Sequence, residues 1–264
     1  MRAFLSIIFY LTLIGSASSQ YFPPTDPLTN VANISYDDTN KNRPLRYFLS
    51  LFIEYKFNVI SSSPIGTRFV ATQFWLDPWN GRGGGDTLYM GINPTQRTQD
   101  YPGQAHFSYF GTQAGTLYSS NCSRGADGGP GVSCGVTLPT QEKHKYRLSA
   151  NITDVNNQHT IVKGILDEWD ETGKFVQSVV IGEFEILRGN MGFSYPQGWV
   201  EGSSDPCSEL VKTEIELSAI SVQNFDSKYG KYNIPIKTIP SNKCGVTLLN
   251  YPDENTWIIK YGEK

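Results

Sequence analysis

The chain has 264 residues, 22 basic against 25 acidic, and a formal net charge of −3 at neutral pH. Mild acidity with scattered charges offers no basic stripe to neutralise phosphates, which excludes nucleic acid as a partner. The length suits one large β domain or two small ones, either with a sizeable core.

At the N-terminus, Arg2 precedes an apolar run from Phe4 to Ile14 and then small residues up to Ser19. That three-part pattern reads as a secretory signal peptide over residues 1–19. The run is about 11 residues long, too short for the roughly 20 that cross a bilayer. Charges or glycines interrupt every later apolar stretch, so no membrane span is expected and the product is read as secreted and extracellular. Residues 20–44, rich in Pro, Thr, Asp and Asn, read as an extended arm.

Period-two alternation then takes over. From Tyr47 to Val59 every odd position is apolar, against Ser50, Glu54, Lys56 and Asn58 between them. That pattern predicts a long half-buried strand. Tyr146 to Ile152 and Val211 to Ala219 alternate in the same way, the former aiming Asn151 at solvent. Further strands are expected at Arg68 to Leu76, Thr87 to Ile92, Ala105 to Phe110, His159 to Leu166 and Phe175 to Leu187. In the last of these, Val176, Val180, Phe184 and Ile186 are expected on one side. The 25 glycines and 15 prolines punctuate the chain between strands. No helical pattern of useful length appears. The expected fold is an all-β, antiparallel β-sandwich of jelly-roll or concanavalin-like type over residues 45–220. Residues 221–264 read as a C-terminal extension of that domain with one or two strands.

Cys122, Cys134, Cys207 and Cys244 all follow the leader, and an even count in an exported chain reads as disulfides. Proximity favours Cys122–Cys134 and Cys207–Cys244 among three connectivities. No CxxC or HxxxH spacing suggests zinc. Three sequons, at Asn33, Asn121 and Asn151, are candidate glycosylation sites, whereas Asn93-Pro94-Thr95 is barred by its proline.

Catalytic motifs fare less well. Gly131-Val132-Ser133-Cys134-Gly135 has the form of a nucleophile elbow, but that geometry needs a strand before the serine and a helix after it. Here Val136 to Pro139 reads as more strand. His106, His144 and His159 show no metal-ligand spacing. Glu183 with Glu185, and Glu168 with Asp170, are the acid pairs that a carboxylate-dependent glycosidase or lyase would need. Their simpler reading is as acids on a wet sheet face. No cofactor is called for, and no metal ligand is assigned. Calcium is left open, with Asp77, Asp86 and Asp127 as donors.

Aromatic residues make up 13% of the chain. Aromatic faces stack on the C–H faces of sugars while polar neighbours orient them. Trp79 in the turn Asp77-Pro78-Trp79-Asn80-Gly81, with Trp75, Tyr109 and Trp199, is therefore the candidate ligand-binding set.

The segments Tyr89-Met90-Gly91-Ile92-Asn93, Phe107-Ser108-Tyr109-Phe110, Gly131 to Cys134 with Leu138-Pro139, Tyr146-Arg147, Ile181 to Phe184 and Trp199 to Glu201 together form a recognisable series. Over residues 47–220 the series resembles an uncharacterised family of secreted β-sandwich domains, a domain of unknown function. Asn93 and Phe110 depart from its usual G-I-Q and F-S-x-W core. The resemblance implies a sandwich often joined to carbohydrate-associated modules, and supplies no catalytic residues. The reading that follows is a secreted, non-catalytic binding module for carbohydrate or glycoprotein glycan. Its alternatives are a structural or interaction protein of an extracellular matrix, and a carboxylate-dependent glycoside hydrolase or lyase. The expected partners are extracellular glycan or matrix components.

Overall fold

The alternating segments pair into antiparallel strands throughout. The computed structural model describes residues 30–36, 47–60, 69–79, 86–94, 104–201, 212–224, 231–234, 236–238, 247–251 and 256–261. The signal peptide, Cys207 and Cys244 lie outside the described residues.

The strands, numbered along the chain, form two layers. Sheet I runs β6 (Ala114–Leu117), β11 (Phe175–Ile186), β10 (Thr160–Trp169), β9 (Lys145–Val155) and β2 (Phe48–Val59). Beyond β2 it splits. One half of β2 pairs with β13 (Thr213–Ser218), followed by β18 (Thr256–Tyr261) and β17 (Thr247–Tyr251). The other half pairs with β14 (Ile220–Asn224), followed by β15 (Lys231–Ile234).

Sheet II runs β7 (Cys122–Ala126), β8 (Gly129–Thr137), β5 (Gln104–Phe110), β4 (Asp86–Asn93), β3 (Phe69–Pro78), β12 (Met191–Glu201), β1 (Asn30–Tyr36) and β16 (Ile236–Thr238). A backbone pairing of Phe48 with Phe193 joins the sheets. The fold is an all-β antiparallel sandwich of the jelly-roll class.

The core lies between the layers. Leu51, Ile53, Tyr55 and Phe57 from β2 and Tyr146 and Leu148 from β9 face Val70, Phe74, Met90 and Phe107 of sheet II, all at 0–1% exposure. Each such side chain contributes about 1.5–3 kcal/mol by leaving water. Gly164 of β10 lets the Phe107 ring approach, since a Cβ there would fall 2.6 Å from Phe107 Cδ1.

Three expectations change. In β2 the odd-position phase holds only from Leu51 to Phe57; Phe48 and Ile60 are the buried residues at its ends. The pairing with β14 shifts register between Gln223 and Asn224, opposite this end of β2, where Phe48 is the buried residue. In β11, Val176 and Val180 are exposed while Phe184 and Ile186 are buried. Register shifts against β10 insert an extra residue on either side of Val179, and each one reverses the inward phase. The region after residue 220 also holds more than one or two strands: β14, β15, β16, β17 and β18 all belong to it. The arm of residues 20–44 contributes β1 to sheet II.

Candidate functional site

The outer face of sheet II gathers aromatic rings on a floor of small side chains. Along β3, Phe69, Gln73 and Trp75 face outward, because Val70, Phe74 and Leu76 fill the core. The register sets Ala71 beside Gly91 and Trp199, and Gln73 beside Tyr89 and Gln197. It then carries Gly91 on to His106, and Tyr89 on to Ser108. Phe69 meets Tyr89 edge-on at 5.9 Å and His106 at 5.7 Å. Tyr89 reaches Phe110 at 5.3 Å and Trp199 at 6.2 Å. All five of these residues are partly accessible rather than buried.

Small residues let the rings lie low. The Phe69 ring sits over Gly91, with a virtual Cβ only 2.3 Å from its Cζ. Polar groups border the rings, including Gln73, Thr87 and Gln104, whose Oε1 lies 3.1 Å from His106 Nε2. Burial lowers the His106 pKa from its ordinary 6.5, so the imidazole is neutral at physiological pH. The chemistry available is stacking with sparse neutral hydrogen bonding.

The four sequence-predicted ligand residues divide. Trp199 is inside the ring cluster. Trp75 shares its face, paired with Thr87 and Ser194. Trp79 is half-buried beyond the end of β3, its Nε1 3.0 Å from a virtual Cβ on Gly192. Tyr109 belongs elsewhere: its ring is fully buried in the core against Phe184. Its hydroxyl donates to Asp86 Oδ2 at 2.7 Å, and burial followed by the Asp86 contact pushes the phenol pKa up. Tyr109 falls on the inward phase of β5, whereas Phe110 beside it faces out. Phe69, Phe110 and His106 are not among the sequence candidates for ligand binding, and Tyr89, an aromatic read as lying beside a loop, is not in the four-residue ligand set. The outward phase of β3, β4 and β5 was the signal that would have found them.

Cys122 and Cys134 face each other across β7 and β8 and form a disulfide. Asp127 and Gly128, both at positive φ, make the two-residue hairpin turn between those strands. Ser133 lies in mid-β8 opposite Ser108 and Ser123, with strand on both sides and no helix after it. Asn121 is exposed and its Nδ2 donates to the Val180 carbonyl at 3.2 Å. Asn151 is half-buried between Ser50 and Lys163 on the outer face of sheet I. The backbone of Asn33 pairs with that of Trp199.

Glu183 and Glu185 do lie on the outer face of β11, bound to Lys163 at 3.1 Å and His159 at 3.4 Å. The Thr116 backbone N–H and hydroxyl hold the Glu185 carboxyl below its usual range. Glu168 is a correction: it is 3% exposed and inward, continuing the phase of Val162, Gly164 and Leu166. It accepts hydrogen bonds from His144 Nδ1 at 2.8 Å, Tyr146 Oη at 3.1 Å and Gln177 Nε2 at 2.6 Å. A buried carboxylate needs such partners, and these tie the β8–β9 connection to β10. Asp77 bonds Ser194, and Asp86 bonds Tyr109 and Arg188. Among the described residues no three His, Cys, Asp or Glu side chains are grouped to hold a metal.

No family model matches the chain, and no curated protein matches it. Solved structures do. A scytalido-glutamic peptidase, crystallised with a peptide-based transition-state analogue, aligns over 88% of this chain and 98% of its own at 11% identity, with a TM-score of 0.41. The PL-14 alginate lyase of Aplysia kurodai aligns over 60% of this chain and 69% of its own at 10% identity, with a TM-score of 0.29. Likenesses this distant transfer no residue roles.

Proposed function

We propose that this chain is an exported binding module that holds an uncharged polysaccharide on the outer face of sheet II. The carrying observation is the ring cluster of Phe69, Tyr89, Phe110 and Trp199, laid on Ala71, Gly91 and Ser108 outside the core. Partly accessible rings gathered on a solvent face are the signature of a contact surface. Their faces match the C–H faces of pyranose rings, and the amides of Gln73 and Gln104 suit sugar hydroxyls. Asp77 is the only carboxylate among the described outward side chains of β3, β4 and β5, and His106, the one base there, is neutral at physiological pH. That composition favours a neutral glycan over an acidic one.

Export, sequon occupancy and an extracellular glycan partner form part of the same reading. The leader sequence, the sequons and the cross-strand disulfide support them.

The test is retention of the secreted protein on insoluble cellulose, chitin, glucan and mannan, with alginate as the acidic control. Retention on a neutral polymer is expected, weakened about tenfold by Tyr89→Ala or Trp199→Ala, the equivalent of roughly 1.4 kcal/mol. Trp79→Ala, at the far end of the sheet, is expected to cost less. Failure to bind any polymer, with matrix proteins copurifying instead, would turn the reading to the structural alternative. Turnover of a bound polymer would turn it to the hydrolase or lyase.

A further inference from the structure

Among the described residues, strand β11 has an open edge. It pairs with β10 along its whole length, but on its other side β6 reaches only Phe184 and Ile186. Between Phe175 and Val180 no described strand covers that side. The segment from Phe175 to Gly182 contains no charge and no proline. Phe175, Val176 and Val180 are 52%, 48% and 37% exposed, and Tyr118, whose N–H bonds Glu183 O, is 52% exposed beside them. Proteins normally blunt such an edge with lysine, proline or a covering group, because free backbone groups beside apolar side chains recruit other strands. The extra residue near Val176 bends the start of the strand, leaving Gln177 to Val180 regular.

A side chain able to carry a cover already touches this edge. Asn121 opens the sequon Asn121-Cys122-Ser123, is exposed, and donates from Nδ2 to the Val180 carbonyl at 3.2 Å. The disulfide to Cys134 pins the residue that follows it. We propose that Asn121 carries an N-linked glycan and that this glycan covers the open edge of β11. The inference rests on the reading that the chain is exported.

In the transfer, Asn121 Nδ2 bonds to the anomeric carbon of an oligosaccharide donated by a lipid-linked pyrophosphate. The bond from that carbon to the pyrophosphate oxygen breaks, and one amide proton leaves with the lipid pyrophosphate. One N–H remains on Nδ2, enough to keep the bond to Val180 O. The first sugars then start beside Val180 and Tyr118, against which their C–H faces pack. Asn151 is a poorer root for the same purpose, since it lies in mid-sheet between β2 and β10.

The experiment uses the full chain expressed in a glycosylating eukaryotic secretion host. Glycopeptide mass spectrometry of protein from the medium is expected to find Asn121 occupied. Ser123→Ala removes the sequon but leaves the asparagine, and the hydroxyl it deletes makes only a 3.4 Å surface contact with Ser133 O. That variant is expected to elute at dimeric or larger mass at concentrations where wild type is monomeric. Adding Val180→Lys should restore the monomer. Should the variant fail to be secreted, enzymatic deglycosylation of folded wild type must produce the same mass shift. Secreted protein with a bare Asn121 would overturn the proposal while leaving export intact. So would deglycosylated protein that stays monomeric. A chain that never reaches the medium would fail the export reading itself, and the glycan with it.

Discussion

The ring of Phe69 occupies the space that a side chain on Gly91 would fill, with a virtual Cβ only 2.3 Å from its Cζ. The contact is with the far end of a side chain, so an added methyl has to swing the ring rather than break the sheet. Gly91→Ala is therefore expected to tilt Phe69 away from Tyr89 and His106 and to roughen the platform. Retention on the bound polysaccharide should fall about tenfold while stability changes by only about 1–2 kcal/mol. Binding isotherms beside urea denaturation separate the two effects. Equal losses in both would mean the glycine serves packing alone.

Tyr55 and Thr72 bridge the sheets through buried hydroxyls 3.1 Å apart. Burial also raises the Tyr55 pKa, so the phenol stays neutral. Thr72→Val keeps the shape but leaves the phenol unsatisfied, at an expected cost of about 1–3 kcal/mol. Adding Tyr55→Phe should recover part of that loss, because the Tyr55 hydroxyl is then gone, while the buried Tyr36 phenol beside Thr72 remains. Thermal melts of the two single variants and the double variant measure the coupling. Additive losses would deny that the hydroxyls are partners.

The strands were legible because sandwich layers expose one face and bury the other, and period two survives in the residues. Leu51 to Phe57 and Tyr146 to Ala150 were read with the right face inward. Phase was lost where pairing geometry outweighs sequence. The extra residues in β11 placed Val176 and Val180 outside, and Phe48 took the inward place at the start of β2. At the candidate site, Trp199, Trp75 and Tyr89 were legible as aromatics near turns, whereas Phe69, inside the expected strand from Arg68 to Leu76, was not. Its outward face shows only once Ala71 and Gly91 are set side by side by cross-strand register. Glu168 teaches the reverse: its charge argued for solvent, while the phase of β10 placed it inside.

Gly182 makes room for the disulfide. A Cβ there would fall 2.3 Å from Cys134 Sγ and 2.6 Å from Cys122 Sγ. Replacing both cysteines by serine opens a loop of sequence separation 12 and is expected to cost about 3 kcal/mol. Gly182→Ala should destabilise the oxidised protein markedly and the double-serine protein somewhat less, since a smaller oxygen replaces each sulfur while the Cβ at position 134, 2.4 Å from the added methyl, stays. Urea midpoints for the four combinations report the coupling. Equal effects of Gly182→Ala in both backgrounds would show that the clash is with the Cβ at position 134 rather than with sulfur.

His106 sets a pH dependence with a definite sign. Burial lowers its folded pKa below the ordinary 6.5, so the unfolded chain takes up a proton before the native one does. The contribution of His106 to stability is therefore complete well above pH 6.5 and is lost progressively as pH falls through that value. The loss ends only when the folded-state pKa is reached. Glu185 and Glu214, both held below their usual 4.5, lose their contributions at lower pH, below about that value. The two windows are thus separable. Urea unfolding between pH 8 and pH 5 is expected to show stability falling toward acid, with a shallower slope in His106→Gln. Ligand retention should fall only at lower pH, as the folded-state pKa is reached, because a protonated imidazole beside Phe69 then places a charge inside the apolar platform. Identical slopes for wild type and His106→Gln would mean that His106 is solvated enough to titrate normally, and that the platform around it is open to water.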